Sequence, residues 1–408
     1  MRSRLPLLSG RKSLLLFGCL FFLLGLLPAQ TVFQFNALGD LEFSRAGDKS
    51  HYYYNEIDAE HTEARLGISQ LNLLGKMDIG QTWSFNARLS LERDLGRKLD
   101  KFSVPQLYVQ WVSDKRKFGL TAGRFVNPFG SFNEKQLSTD RNFIGLPLAY
   151  SYYVNISERI GFLPNMGDVE KIKIGEQVQW GSANLYYGGY ATGAMFSWNI
   201  KPAVVNWKIA VVNGAANAKT NLTDPWQIGL VSRLQLRPVY FWEQGISFSR
   251  GAFMQSAVLN EQLSDLSAYT QTVIGTDFKL GSGFFELSGE LMRVSYTVPE
   301  FDKDANGFDP GQAARQLNNL AVYLDLKYEP PVLPGSYIAY RIDHLNFSRA
   351  SGYQDLEWDN DVLRHSLAIG YDITSFLLVR AAVSTQHVDR KSWDNRQRTF
   401  RLALTAHY

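Results

Sequence analysis

Nine side chains able to select or grip a solute crowd one stretch of the sequence: Glu134, Lys135, Asp140, Arg141, Tyr150, Tyr152, Tyr153, Glu158 and Arg159. Both signs of charge, set close together, produce a transverse field across any narrow passage they line. The tyrosines offer flat, amphipathic faces to sugars and similar solutes. This is the chemistry of passage and contact; residues for bond-making chemistry are harder to find. The six histidines are His51, His61, His344, His365, His387 and His407, most of them near loops or strand ends. Asp343-His344 has the composition of a dyad, but neighbours on a strand point to opposite faces. Asp359 and Asp361 lie near a loop, and no serine flanked by nucleophile-elbow glycines accompanies them. No enzymatic activity is expected. Asp302-Lys303-Asp304-Ala305-Asn306-Gly307 opens like a calcium loop, with Asp302, Asp304 and Asn306 as oxygen ligands. The twelfth position is Ala313 where an EF-hand needs a bidentate Glu, so a loop-bound Ca2+ competes with an acidic turn closed by glycine. No other cofactor is implied.

The elements that position these residues begin after an export signal. Met1–Lys12 carries Arg2, Arg4, Arg11 and Lys12 and no acid, and Ser13–Leu27 is an unbroken apolar run. Pro28-Ala29 then supplies a breaker and a small residue, so cleavage is expected near Ala29. A lipobox at Leu16-Phe17-Gly18-Cys19 is the weaker reading, because Phe17 is bulky and the apolar run continues past the cysteine. Residues 1–29 are therefore read as a cleaved secretory signal, and 30–408 as the mature domain. The whole chain has 42 basic and 39 acidic side chains; without the four in the leader, 38 against 39 leaves a net charge of −1. That balance argues against nucleic acid as a partner. Cys19 is the only cysteine, so the mature chain has no disulfide, thiolate metal site or thiol nucleophile.

Beyond Ala29 the sequence alternates. Trp83, Phe85, Ala87, Leu89 and Leu91 interleave with Ser84, Asn86, Arg88, Ser90 and Glu92. Leu320 to Tyr328 alternates likewise, and so does Phe33 to Phe43. A period of two means strands with one apolar and one polar face. The runs have the roughly 10-residue length of tilted strands crossing a membrane. Tyr186, Tyr187, Tyr190, Trp198, Trp207, Trp226, Tyr240 and Trp242 cluster at strand ends, as an interfacial girdle requires. The chain ends within a strand, on Phe400, Leu402, Leu404, Ala406 and Tyr408. This ending resembles the terminal strand that barrel-insertion machinery reads in bacterial outer-membrane proteins.

Short turns at 79–82, 113–116, 201–203, 281–283 and 372–374 alternate with long polar loops near 44–62, 214–225, 298–316, 348–360 and 389–395. One stretch, from Phe125 to about Tyr186, is far longer than the rest, and loops of that length are usually functional. Five strands precede it and eleven follow. The fold class expected is all-β, a transmembrane antiparallel β-barrel of 16 strands (18 if 170–180 forms its own hairpin), with this third loop folded into the lumen. Strand parity places Arg88, Lys208, Arg233, Arg237, Lys327, Arg364, Arg380 and Arg401 on the lumen wall. It places Asp40, Glu42, Glu92, Asp277, Glu286, Glu290 and Asp325 there too. Charges on the lipid face near the midplane would cost about 2–4 kcal/mol each.

Two stretches carry a resemblance. Thr121-Ala122-Gly123-Arg124-Phe125-Val126-Asn127-Pro128-Phe129 resembles the fifth-strand exit of the phosphate-selective porin O/P family. Trp207-Lys208-Ile209-Ala210-Val211-Val212-Asn213-Gly214-Ala215 is similar to that family's strand 7 and exit loop. The resemblance implies sixteen strands, a homotrimer and a constricting third loop. Anion-selective members are expected to have a strongly basic lumen, whereas this mature chain is balanced, so phosphate does not follow. The expected function is passive diffusion of small hydrophilic solutes or ions through a weakly selective outer-membrane channel. The alternative is a barrel acting as a receptor, an adhesin or part of a secretion or uptake complex. Expected partners are outer-membrane lipid, the solutes, insertion machinery that reads the strand ending at Tyr408, and further copies of the chain.

Overall fold

The computed structural model describes residues 31–46, 64–93, 99–157, 161–162, 182–186, 189–216, 227–254, 266–298, 301–302, 307–308, 315–349, 357–389 and 396–408. The alternating segments form sixteen strands: β1 Thr31–Ala46, β2 Arg65–Ile79, β3 Trp83–Arg93, β4 Leu99–Val112, β5 Phe118–Val126, β6 Tyr190–Lys201, β7 Val205–Asn213, β8 Ile228–Val239, β9 Trp242–Ala252, β10 Thr270–Ser282, β11 Phe285–Val298, β12 Arg315–Tyr328, β13 Ser336–Phe347, β14 Val362–Thr374, β15 Leu377–Val388 and β16 Arg396–His407. Each pairs antiparallel with its sequence neighbours, and β16 closes on β1 from Leu38↔His407 to Ala46↔Thr399. Closure gives every strand a partner strand on both sides.

Five strands precede the long stretch and eleven follow, as expected. The span 170–180, the place of the alternative hairpin, lies outside the described residues. The last short turn is displaced. It falls at Ser375-Phe376, because β14 runs on to Thr374 through a bulge at Asp372/Thr374.

Apolar side chains face out along most of each strand: Phe35 is 60% exposed, Leu120 53% and Ile369 53%. In water such a surface would drive aggregation; facing lipid it is stabilising. At the short-turn end Trp242, Phe285 and the stacked Phe285–Tyr328 pair form part of an aromatic rim. Trp198 and Trp207 also face outward, with ring centroids 6.5 Å apart. Two residues assigned to the girdle from sequence sit elsewhere. Tyr186 is 0% exposed inside the barrel, and the Tyr190 hydroxyl accepts a 2.6 Å hydrogen bond from the lumenal Arg88. Tyr187 and Trp226 lie outside the described residues.

On one side of the barrel the polarity of the strands inverts towards the long-loop end. There Val294, Tyr296 and Val298 of β11, Leu317 of β12, and Leu345 and Phe347 of β13 are buried facing inward. Their outward neighbours are polar: Arg293, Ser295, Asn318 and Asn346. The inward residues pack on Val154, Ile156, Phe162 and Leu185 from the third loop and on Phe253, Met254 and Trp358 from other loops. The barrel therefore encloses an apolar core at this end, as a soluble sandwich does.

Candidate channel constriction

The third loop enters the barrel immediately after β5. Gly130 adopts φ +63, a left-handed turn that brings the chain against β11; a Cβ there would lie 2.8 Å from a Glu290 carboxylate oxygen. The Glu290 carboxylate, 3% exposed, gathers the turn. One oxygen accepts from Ser131 N (2.5 Å), Phe132 N (2.6 Å) and Ser131 Oγ (3.0 Å), and the other from Tyr150 Oη (2.5 Å). Beyond the helical turn Phe132–Glu134 the loop crosses to the closing seam. Ser138 Oγ donates to Asp40 Oδ1 of β1 (3.0 Å). The chain then follows the wall of β13–β15 to the single turn of helix Leu148–Ser151, whose Leu148 N donates to Asp343 (3.0 Å). The return path adds a three-stranded sheet of Tyr153–Ser157, Gly161–Phe162 and Ser182–Asn184. The loop is thus folded into the lumen and held at many points.

Most wall arginines are consumed by this anchoring. Arg380, 2% exposed, donates to Ser138 O (2.7 Å), Arg141 O (3.2 Å) and Thr405 Oγ1 (2.9 Å). Arg364 donates to Leu146 O (2.5 Å) and to Asp343 (3.1 Å). Between them and β12, Arg341 forms a two-pronged pair with Asp325 (2.5 and 2.6 Å) and donates to Gly145 O (3.2 Å). Arg88 is held by Asn72 and Tyr190, and Arg401 by Glu42 (2.8 Å). Arg233, also 2% exposed, bonds Asp277 (2.8 Å) and reaches Glu134 (3.3 Å). An unbroken basic strip along Arg233, Arg237, Arg380 and Arg401 is therefore not what the wall presents. Arg233, Arg237 and Arg401 have carboxylate partners, while Arg380 is engaged by two backbone carbonyls and a hydroxyl.

The more exposed lumen charges come in opposite pairs: Lys208–Glu134 (3.2 Å), Arg237–Glu243 (2.6 Å), Lys279–Glu286 (2.8 Å), Lys327–Glu329 (2.6 Å) and Lys76–Asp78 (2.8 Å). Glu134 projects from the loop towards the wall at Lys208 and Arg233, and beside it lies a cavity of about 230 Å³ lined also by Tyr108, Gln110, Thr121 and Met195. Of the nine loop candidates, Glu134 and Asp140 are exposed, and Lys135 and Arg141 are partly buried. Burial pushes the Lys135 ammonium below its usual value, against the opposing pull of Asp325 and Glu286. Tyr150 and Tyr152 do not offer the solute-facing surface expected of them. Tyr150 is buried on Glu290, and Tyr152 packs on Phe347 and donates to Asp359 (3.1 Å). Tyr153 starts the inner sheet, and Glu158 and Arg159 lie outside the described residues.

Asp343 is buried in the lumen while His344 faces outward, so the pair is no dyad. Asp302 sits in a two-residue strand paired with Gly307–Phe308; Asp304 and Asn306 are outside the described residues. Sequence reasoning did not single out Arg341, or Asp40 and Asp343 as loop anchors. Their partners lie 98 to 196 residues away, and no local pattern encodes such pairings.

No family model and no curated protein matches the chain. Solved structures do. The chain is similar to the anion-selective porin from Comamonas acidovorans (TM-score 0.59, 11% identity, covering 93% of this chain and 100% of that one). It is similar to the outer membrane channel DcaP of Acinetobacter baumannii (0.57, 11%, 93% and 98%). It is also similar to OmpT, an outer membrane protein of Vibrio cholerae (0.57, 8%, 94% and 99%). At these identities the likeness establishes a shared fold, the closed sixteen-stranded barrel of outer-membrane proteins.

Proposed function

We propose that this chain is an outer-membrane porin through which small hydrophilic solutes and ions diffuse passively, with weak charge selectivity. The observation that carries the reading is the pairing of the lumen charges around an inward-folded third loop. Field lines inside a low-dielectric wall focus strongly only when one sign of charge predominates. Here each exposed cation named above has a carboxylate within 3.2 Å. At about 0.15 M salt, screening over ~8 Å further confines the field to the narrow zone near Glu134 and Lys208. The stretches resembling the phosphate-selective O/P family support the barrel plan, while the engagement of the wall arginines by carboxylates, loop carbonyls and hydroxyls argues against phosphate as the solute. Residues 1–29 act as the export signal, cut near Ala29, and 30–408 form the barrel. The strand ending at Tyr408 is the insertion signal, and three copies form the working assembly.

Planar-bilayer recording tests the reading. Reversal potentials in a KCl gradient should lie near zero. Lys208→Gln should shift them towards cations and Glu134→Gln towards anions. Arg233→Glu is a poor test, because it would set a carboxylate against Asp277, Glu134 and Glu243. A strongly anion-selective channel, or chloride current blocked by phosphate, would refute weak selectivity. A folded barrel without conductance would favour a receptor or adhesin.

A further inference from the structure

Among the described strand residues, the carboxylates of β1, β3 and β9–β13 face the lumen, yet Arg250 of β9 and Arg293 of β11 are exposed on the outer surface. Register fixes their orientation. Arg250 is paired with Leu230 and Thr272, and Arg293 with Ile274 and Leu320; of these neighbours Leu230, Ile274 and Leu320 are exposed on the outer face. Neither arginine makes an ion pair with a described residue.

Their depth is set by the same registers. Arg250 lies eight residues from Trp242, and Arg293 eight from Phe285, both on the aromatic rim at the short-turn end. Eight residues at about 3.3 Å each, on strands tilted by about 40°, raise both guanidiniums roughly 20 Å above that rim. An outward apolar band in such barrels is about 25 Å tall. Both arginines therefore stand at its upper edge, where the outward face changes from Ile274, Leu291 and Leu320 to Thr272, Ser295 and Asn318. The inversion of strand polarity described above starts at this same level, on β11.

Thr272 lies directly between Arg250 and Ser295 in the cross-strand row, and Arg293 is one outward position below Ser295. Two strands and two residues separate the arginines, about 12 Å between Cα atoms. Two extended arginine side chains meet across that distance. Two guanidiniums without a described ion-pair partner and the Thr272 hydroxyl, facing lipid near the upper edge of the apolar band, match a phosphate ester, for which the planar guanidinium fork is well suited. The Ser295 hydroxyl is already donated to Asn318 (2.7 Å).

We propose that Arg250 and Arg293, with Thr272, form a binding site for a phosphate group of an outer-leaflet lipid. The proposal rests on the outer-membrane reading, and cell fractionation checks that reading separately: a barrel found outside the outer membrane would sink the localisation irrespective of phosphate binding. The site itself is tested on the purified, detergent-solubilised full barrel. Bis-phosphorylated lipid A is added, and the temperature at which the compact band converts to the unfolded band is read on gels. Lipid A should raise this midpoint for the wild type. Dephosphorylated lipid A and inorganic phosphate alone should not, because the former lacks the anion and the latter the acyl chains that hold it at that depth. Arg250→Gln/Arg293→Gln should lose at least half of the shift. Equal shifts with dephosphorylated lipid A, an equal shift with inorganic phosphate, or a full shift in the double variant would each overturn the proposal. The lipid comparison on wild-type protein decides the matter even if the variant folds poorly.

Discussion

Replacing Glu290 should release the third loop without dissolving the barrel. Its carboxylate accepts two backbone and two side-chain hydrogen bonds from Ser131, Phe132 and Tyr150 in a site 3% exposed. Hydrogen bonds to a charged group contribute about 1.5–3 kcal/mol each. Four bonds sharing one charge are therefore worth roughly 4–6 kcal/mol in total, allowing for the dilution of that charge. Glu290→Ala leaves two buried N–H groups unpaired and should reduce the ratio of docked to undocked loop about a thousandfold, since 1.4 kcal/mol is a factor of ten. Glu290→Gln keeps an acceptor for Ser131 and Phe132 and loses mainly the charge assistance, about 2 kcal/mol in all. Two measurements read the difference. Trypsin should cut the alanine variant after Lys135 or Arg141 while sparing the wild type, and single-channel conductance should rise and become noisy. The glutamine variant should fall between them. A protease-resistant, wild-type conductance in a folded Glu290→Ala barrel would show that the clamp does not hold the loop.

The Arg341–Asp325 pair gives a stability test. Asp325→Ala leaves a guanidinium that is 2% exposed without its carboxylate, a change that costs about 3–5 kcal/mol, and the gel-shift midpoint should fall accordingly. Lys135 gives a pH test. Its folded-state value lies below the unfolded one, so in the interval between them the unfolded chain binds more protons and stability rises with pH. Loop protection from chymotrypsin, which does not cut at lysine, should therefore increase as pH approaches the ordinary lysine range, and Lys135→Met should abolish that slope; a persisting slope would assign it to another group.

Alternation made the barrel legible, because a period of two survives in any one strand taken alone. Leu320–Tyr328 and Trp83–Glu92 reveal their faces without reference to a partner. The parity of Arg380, Arg233 and Glu290 followed, and so did the inward fold of the one outsized loop. What stayed hidden was everything that depends on which loop residue meets which wall residue. Glu290 and Ser131 are 159 positions apart, and nothing near either announces the other. Tyr186 was misplaced for a related reason. A tyrosine near a strand end suits a membrane interface and a buried aromatic cluster equally well, and only the proximity of Phe129 and Tyr150 decides between them. The inverted upper faces of β11–β13 escaped notice because alternation has the same period whichever side is apolar.

The seam between the first and last strands has a mechanical consequence. Asp40 of β1 accepts hydrogen bonds from Thr405 of β16 and from Ser138 of the third loop, and Arg380 ties Thr405 and the Ser138 carbonyl together. The loop is thus a latch across the joint where the first and last strands meet. Pulling the loop outward transmits load to that joint, and a parted joint in turn frees the loop. Under force the chain should rupture as one coupled unit at β1 and β16, with pore calibre and wall integrity failing in the same event.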